Sequence, residues 1–364
     1  MISPSSFLLF LTVLCLCALP GSDASAQTKL WRDAQEFEVE GRGWTDTQSL
    51  YDRLPTRAQG KVTPDVWGLS KDSAGIAVRF QTGAPSLSVR WELLNSNLAM
   101  PHMPATGVSG IDLYRRDTQG SWQFVQNGRP TEFPQNTATF SLGGAKGKEA
   151  EYLLYLPLYN GVKKVELAVP NGATLQKPPA RPEAKQRSIV YYGTSITQGG
   201  CASRPGMAHV AILGRNLDRP MINLGFSGSA RIEPAISDLL AELDPALYVI
   251  DALWNIGNMT DEEFVSRLTT LIQTIRRARP KTPILFVGRS RVHPEKTPPH
   301  IEQLQEKVVK RMRGEGVPNL TLFNGATLLN RDGEGTVDGV HPNDLGMMQH
   351  AKALTPILKK LLPN

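Results

Sequence analysis

Cysteine is scarce in this chain, with three in 364 residues, at Cys15, Cys17 and Cys201. The first two fall in an apolar run from Phe7 to Pro20 near the amino terminus. That run is too short to span a bilayer, and Ala24-Ser25-Ala26 before Gln27 fits a small-residue cleavage site. Residues 1–26 therefore read as a signal peptide. The leader lacks Lys and Arg, which leaves an uncleaved anchor as the alternative, and neither Cys15 nor Cys17 follows a small residue, which argues against a lipoprotein. Cleavage would leave Cys201 alone and exclude an internal disulfide, so stability must come from packing. Cys201, beside Gly199-Gly200, is either a reactive thiol or a small buried filler. No later stretch is long and apolar enough to cross a membrane. An exported protein, periplasmic or secreted, is expected.

Paired metal-ligand spacing is also missing. His102, His209, His293, His300 and His350 stand apart, so neither a metal nor an organic cofactor is expected. The formal net charge is +6, but Lys and Arg are scattered, with only short clusters such as Arg276-Arg277 and Lys359-Lys360. That pattern describes a solvated basic surface and argues against nucleic-acid binding, while a basic surplus suits an acidic polysaccharide partner. No internal repeat is present.

What is present divides into two halves. From 27 to 176 the apolar segments are short and alternate with period two, as in 75–80, 86–91, 110–114, 152–156 and 162–167. Turn signals such as Thr82-Gly83-Ala84-Pro85 separate them, which is the pattern of an all-β sandwich. Residues 177–186 are proline-rich and charged and are expected to run extended as a linker. From 187 to 364 buried runs at 188–192, 221–224, 247–250, 284–287 and 320–323 alternate with helical stretches at 232–243, 261–278, 301–312 and 345–362. Strand then helix, repeated, predicts a doubly wound parallel α/β sheet with its site at the carboxyl ends of the strands.

Two motifs lie where that site should be. Gly193-Thr194-Ser195 follows the first strand, and Asp338-Gly339-Val340-His341 precedes the last helix. A serine hydroxyl is a poor nucleophile near neutrality unless a base takes its proton, and an imidazole oriented by a carboxylate is the usual base. The competing reading of the first motif is an idle helix cap. A carboxylate three residues before a histidine can fold back onto Nδ1 and leave Nε2 free for the serine.

The chain resembles the SGNH or GDSL family of serine esterases, which places its nucleophile and its Asp-x-x-His in these positions. Gly193-Thr194-Ser195-Ile196 departs from the eponymous Gly-Asp-Ser-Leu but keeps the serine. The resemblance implies a flavodoxin-like catalytic fold behind a jelly-roll-like sandwich. Its oxyanion donors would be the N–H groups of Ser195 and Gly228 and the side chain of Asn255. Gly225 would form the turn before Gly228, and Asn258 rivals Asn255 from farther beyond the strand end. Gly110-Ile111-Asp112-Leu113-Tyr114 is similar to the Gly-x-Asp-Leu-Tyr signature of the N-terminal region in one branch of the family.

That branch implies removal of acyl groups, often acetyl, from carbohydrates, so a small-molecule or polysaccharide ester is the expected substrate. Lipid or thioester hydrolysis, and a non-catalytic carbohydrate-binding protein on the same scaffold, are the alternatives. Trp254 could stack on a sugar or simply pack. Arg204, Arg289 and Arg291 could line the cleft or lie elsewhere on the surface, and Asp251 could support the site by hydrogen bonding.

Overall fold

The structure is a computed structural model that describes residues 29–143, 148–257, 259–293 and 299–363. The expected leader, 1–26, lies outside them. Two antiparallel sheets stack in the N-terminal half. One orders its strands Arg32–Asp33, Val162–Ala168, Ser86–Leu93 and Gln135–Ser141. The other orders Leu175–Gln176, Ala77–Thr82, Ala150–Tyr155, Ile111–Arg116 and Trp122–Gly128, with Glu38–Glu40 also paired to Ala77–Thr82. Alternation sets the inward face: Leu87, Val89, Trp91 and Leu93 are buried and share one core with Val78, Phe80, Leu113 and Leu154 of the opposite sheet.

Five strands in this half were not anticipated. Trp122–Gly128 and Gln135–Ser141 are rich in Gln, Asn and Thr and stand at sheet edges, so no apolar alternation marks them. Residues 41–75 carry no strand at all. They hold the helix Pro64–Leu69, and Trp44, Leu54, Ala58, Val62 and Val66 pack into the core of the C-terminal half. The segment 177–188 departs from a plain extended linker, because it contains a short helical turn at Glu183–Lys185 and buries Arg181 against Glu40. Arg79 also donates to the Pro179 carbonyl (3.0 Å), which ties the segment to the sandwich.

The C-terminal half has five strands: β1 (Ile189–Gly193), β2 (Met221–Gly225), β3 (Leu247–Asp251), β4 (Ile284–Val287) and β5 (Leu320–Phe323). All pair in parallel, in the order β2-β1-β3-β4-β5, which is the flavodoxin-like doubly wound arrangement. Helices α1 (His209–Leu217) and α5 (Asp344–Leu361) cover one face with Ile189 and Tyr191. Helices α2 (Pro234–Glu242), α3 (Asp261–Ala278) and α4 (His300–Gly314) cover the other with Val190 and Tyr192. Helix α1 went unread in the sequence. In register, Gly193 lies beside both Gly225 and Asp251, so the three central strands end level with one another. Among the described residues no helix is long and apolar enough to cross a membrane.

Two buried polar clusters set this architecture's sensitivity. Asp112 is fully buried and accepts from Arg204 Nη1 (2.7 Å), Gly206 N (2.9 Å) and Asn127 Nδ2 (2.9 Å), joining the two lobes. Removing one partner of a buried ion pair strands the other. Asp112→Ala is expected to lower the unfolding free energy by about 3–5 kcal/mol in a urea titration.

His209 and His350 are both buried in the α1/α5 layer, with ring centroids 5.3 Å apart and no hydrogen-bond partner for either ring among the described residues. Burial pushes His209 down to about 3 and His350 well below its usual value, with His209 adding to the latter shift. The unfolded chain therefore takes up protons that the folded one refuses. Stability contributed by the neutral pair is complete above pH 6.5 and is lost as pH falls from there toward 3, by up to about 1.4 kcal/mol per pH unit for each imidazole. His350→Phe should flatten the acid limb of a Tm-versus-pH curve; an unchanged limb would place the acid sensitivity elsewhere.

Candidate active site

Strand β1 ends at Gly193, where a Cβ would meet Thr197 Oγ1 at 2.1 Å and the Asp251 carbonyl at 2.7 Å, so only glycine lets the chain turn there. The next residue caps the short helix Ser195–Gln198: Thr194 Oγ1 accepts from Ile196 N (3.4 Å). Capping falls to Thr194, which leaves the Ser195 hydroxyl free of that duty. The Ser195 carbonyl is held from three sides, by Gly199 N (3.0 Å), Gly200 N (2.7 Å) and Tyr159 OH (3.2 Å).

The second motif meets the first across 146 residues. Ser195 Oγ lies 2.9 Å from His341 Nε2, and His341 Nδ1 lies 2.7 Å from Asp338 Oδ2. The other oxygen of Asp338 accepts from the N–H groups of Val340 (3.0 Å) and His341 (2.7 Å). Burial works against charge on Asp338, but these hydrogen bonds outweigh it and hold the carboxyl down to about 2. A charged carboxylate on Nδ1–H leaves Nε2 as the acceptor, and the arrangement can move a proton from hydroxyl to imidazole.

Hydrogen-bond donors without internal partners cluster at the ends of β2 and β3. In the loop after β2, Phe226 N donates to Gly193 O (2.8 Å), Ser227 N to Gln198 Oε1 (3.1 Å), Ser229 N to Phe226 O (3.0 Å) and Ala230 N to Asn255 Oδ1 (3.3 Å). Gly225 N is taken by Asn223 Oδ1 (2.9 Å). Of the N–H groups from Gly225 to Ala230, only that of Gly228, at φ +68°, has no acceptor among the described residues, which separates it from Gly225. The bond from Ala230 N engages the amide oxygen of Asn255, and its NH₂ has no hydrogen-bond acceptor among the described residues. Asn258 lies outside the described residues.

The other candidates sit differently. Arg204 is occupied by Asp112 and by Tyr114 OH (2.7 Å), with its guanidinium 3.8 Å over the Phe124 ring. Trp254 donates to Ser290 Oγ (3.4 Å) and carries Arg289 over its ring at 4.9 Å, so that face is covered. Arg291 pairs with Glu302 at 3.1 Å, and Arg289 lies 3.8 Å from the same carboxylate. Asp251 accepts from Tyr191 OH (3.1 Å), and burial pushes it up to about 7 against that hydrogen bond. Burial, with the charge of Asp338, pushes the Cys201 thiol up to about 11, which suits a filler and not a reactive thiolate. No group of three or more His, Cys, Asp or Glu among the described residues could hold a metal ion.

Sequence reading passed over Gln198. It is fully buried and holds the loop after β2, but its partners Asp72 and Leu158 lie 126 and 40 residues away, and no local pattern marks such a contact.

Family models match both lobes: the GDSL-like lipase/acylhydrolase family over residues 186–359, and the N-terminus of SGNH-hydrolase-type esterases over residues 29–175. Among solved structures, a Bacteroides ovatus protein described as a GDSL-like lipase is 31% identical, with a TM-score of 0.81 over 92% of this chain and 98% of its own. Two others share the fold: a salicylyl-acyltransferase from a tetracycline biosynthetic pathway (18% identity, TM-score 0.75, 92% of this chain and 97% of its own) and an acetyl xylan esterase of the rumen bacterium Butyrivibrio proteoclasticus (12%, 0.59, 91% and 98%). No curated protein matches the sequence. With both lobes matched and a relative of this identity covering almost the whole chain, the protein belongs to the GDSL-like lipase/acylhydrolase family, as a carboxylic ester hydrolase of SGNH type.

Proposed function

We propose that the protein is an exported esterase that removes acyl groups, acetyl foremost, from carbohydrates. The observation that carries the catalytic part is the unbroken line of hydrogen bonds from Ser195 Oγ through His341 to Asp338. Ser195 attacks the ester carbonyl while His341 Nε2 takes the hydroxyl proton. His341 then returns that proton to the departing sugar hydroxyl, leaving an acyl-enzyme. Water, deprotonated by the same imidazole, cleaves the acyl group as a carboxylate. Asp338 fixes the tautomer and stabilises the imidazolium. The N–H groups of Ser195 and Gly228 and the amide of Asn255 receive the oxyanion.

Two features support the substrate class. The His341 and Asp338 side chains are 30% and 51% exposed, which leaves room for a bulky alcohol to approach the base. The fold shared with an acetyl xylan esterase points the same way. Export rests on the apolar leader and its Ala24-Ser25-Ala26 site.

The wild-type protein is expected to hydrolyse p-nitrophenyl acetate faster than the butyrate or longer esters and to release acetate from an acetylated polysaccharide. Ser195→Ala should abolish this, and turnover that survives the substitution would sink the assignment. Asp338→Asn should lower kcat by about 10³-fold or more, because the imidazole loses its tautomer partner. Asn255→Ala should lower kcat by about 10²–10³-fold at little change in KM.

A further inference from the structure

Among the side chains that hold the loop carrying the Gly228 N–H is Gln198, which is itself held by the other lobe. Gln198 spends its amide in three directions. Nε2 donates to Asp72 Oδ2 (2.9 Å) and to the Leu158 carbonyl (3.1 Å), both in the N-terminal lobe. With both N–H bonds committed, the amide cannot flip, and Oε1 must face Ser227 N–H (3.1 Å), one residue before Gly228. Arg53, also buried, braces the same loop: its guanidinium donates to the carbonyls of Gly225 (2.6 Å) and Asn223 (3.3 Å), and to those of Asp72 (2.8 Å) and Leu69 (2.6 Å) on its own side. The Phe226 ring lies 5.0 Å from that guanidinium.

We propose that Gln198, clamped by Asp72 and Leu158, is the positioning residue that aims the Gly228 N–H, and that the β lobe is thereby a working part of the catalytic site. This rests on the reading of Ser195 and Gly228 given above. Gln198 touches no reacting atom. It consumes the Ser227 N–H, and so dictates the peptide orientation that leaves the next N–H turned outward. An oxyanion donor acts only if it is already in place when charge develops, so loosening the loop costs turnover more than substrate binding. Displacements near 1 Å are enough to cost on the order of 10²-fold.

The test uses the full-length protein, with kcat and KM for p-nitrophenyl acetate and hydrogen–deuterium exchange of the 225–230 segment. In Gln198→Leu, kcat should fall about 10- to 100-fold with KM within about threefold of wild type, and the segment should exchange faster without substrate present. Wild-type exchange in that segment, or a wild-type kcat, would overturn the proposal, as would a loss confined to KM. Should Gln198→Leu not accumulate as folded protein, Gln198→Asn keeps a neutral amide but is one methylene too short to reach both partners. The same fall in kcat and faster exchange are expected of it, and wild-type behaviour refutes the clamp. Ester hydrolysis that survives Ser195→Ala would count against the esterase reading alone. The exchange measurement would still decide the clamp, since it needs no turnover.

Discussion

The site depends on one registration. Gly193 pairs with Gly225 on one side and Asp251 on the other, so β1, β2 and β3 end at a common level. Parallel strands stand about 4.8 Å apart, and the residues two to four positions beyond these ends are Ser195, Gly228 and Asn255. The proposed nucleophile and its two proposed oxyanion donors thus arise on neighbouring strands without a long loop to order. Slippage of either pairing by one residue would turn side chains to the wrong face and separate the groups. The cramped space at Gly193, where Thr197 and the Asp251 carbonyl leave no room for a Cβ, is the local consequence of that close approach.

The second constraint is the seam between lobes. Arg53, Asp72, Asp112 and Gln198 are buried there, and burial pushes Arg53 down while pushing Asp72 and Asp112 up. Burying charges is a poor route to stability, since well-packed apolar groups serve as well or better. What charged and amide groups add is direction. Arg53 finds backbone carbonyls in both lobes, and Asp112 reaches Arg204 and Gly206 of the catalytic half. Each contact is lost if one lobe shifts by an ångström or two, so the seam specifies a single docking.

Much of this was legible in the sequence where chemistry follows local spacing. The parallel strands are continuous apolar runs, and all five lie within one residue of their expected ends. Asp338 and His341 are close enough in sequence that their pairing needs only a turn. The choice of Gly228 over Gly225 needed the hydrogen bonds of the whole loop. Arg204 was a candidate for the cleft, but its partner is the Asp of the Gly-x-Asp-Leu-Tyr motif, 92 residues earlier, so the signature that identified the N-terminal lobe is a structural staple. Gln198 and Arg53 were illegible because each acts through partners distant in sequence. The edge strands were illegible because solvent on one side removes the apolar pattern.

The two arms of the site are built on different principles. Asp338 and His341 form a self-contained loop: backbone N–H groups three residues or fewer away hold the carboxylate, and with its side chain half exposed this keeps it charged. Burial is not what sets its charge, so the base arm is insensitive to how the lobes dock. The proposed oxyanion side is the reverse. Its donors are backbone and amide groups whose directions are set by Gln198, Arg53 and strand register, all of which span long stretches of chain. A change in the β lobe that leaves the fold intact therefore acts on the hole before it acts on the base. Under the proposed mechanism, transition-state stabilisation is a property of both lobes, while proton transfer belongs to one short loop.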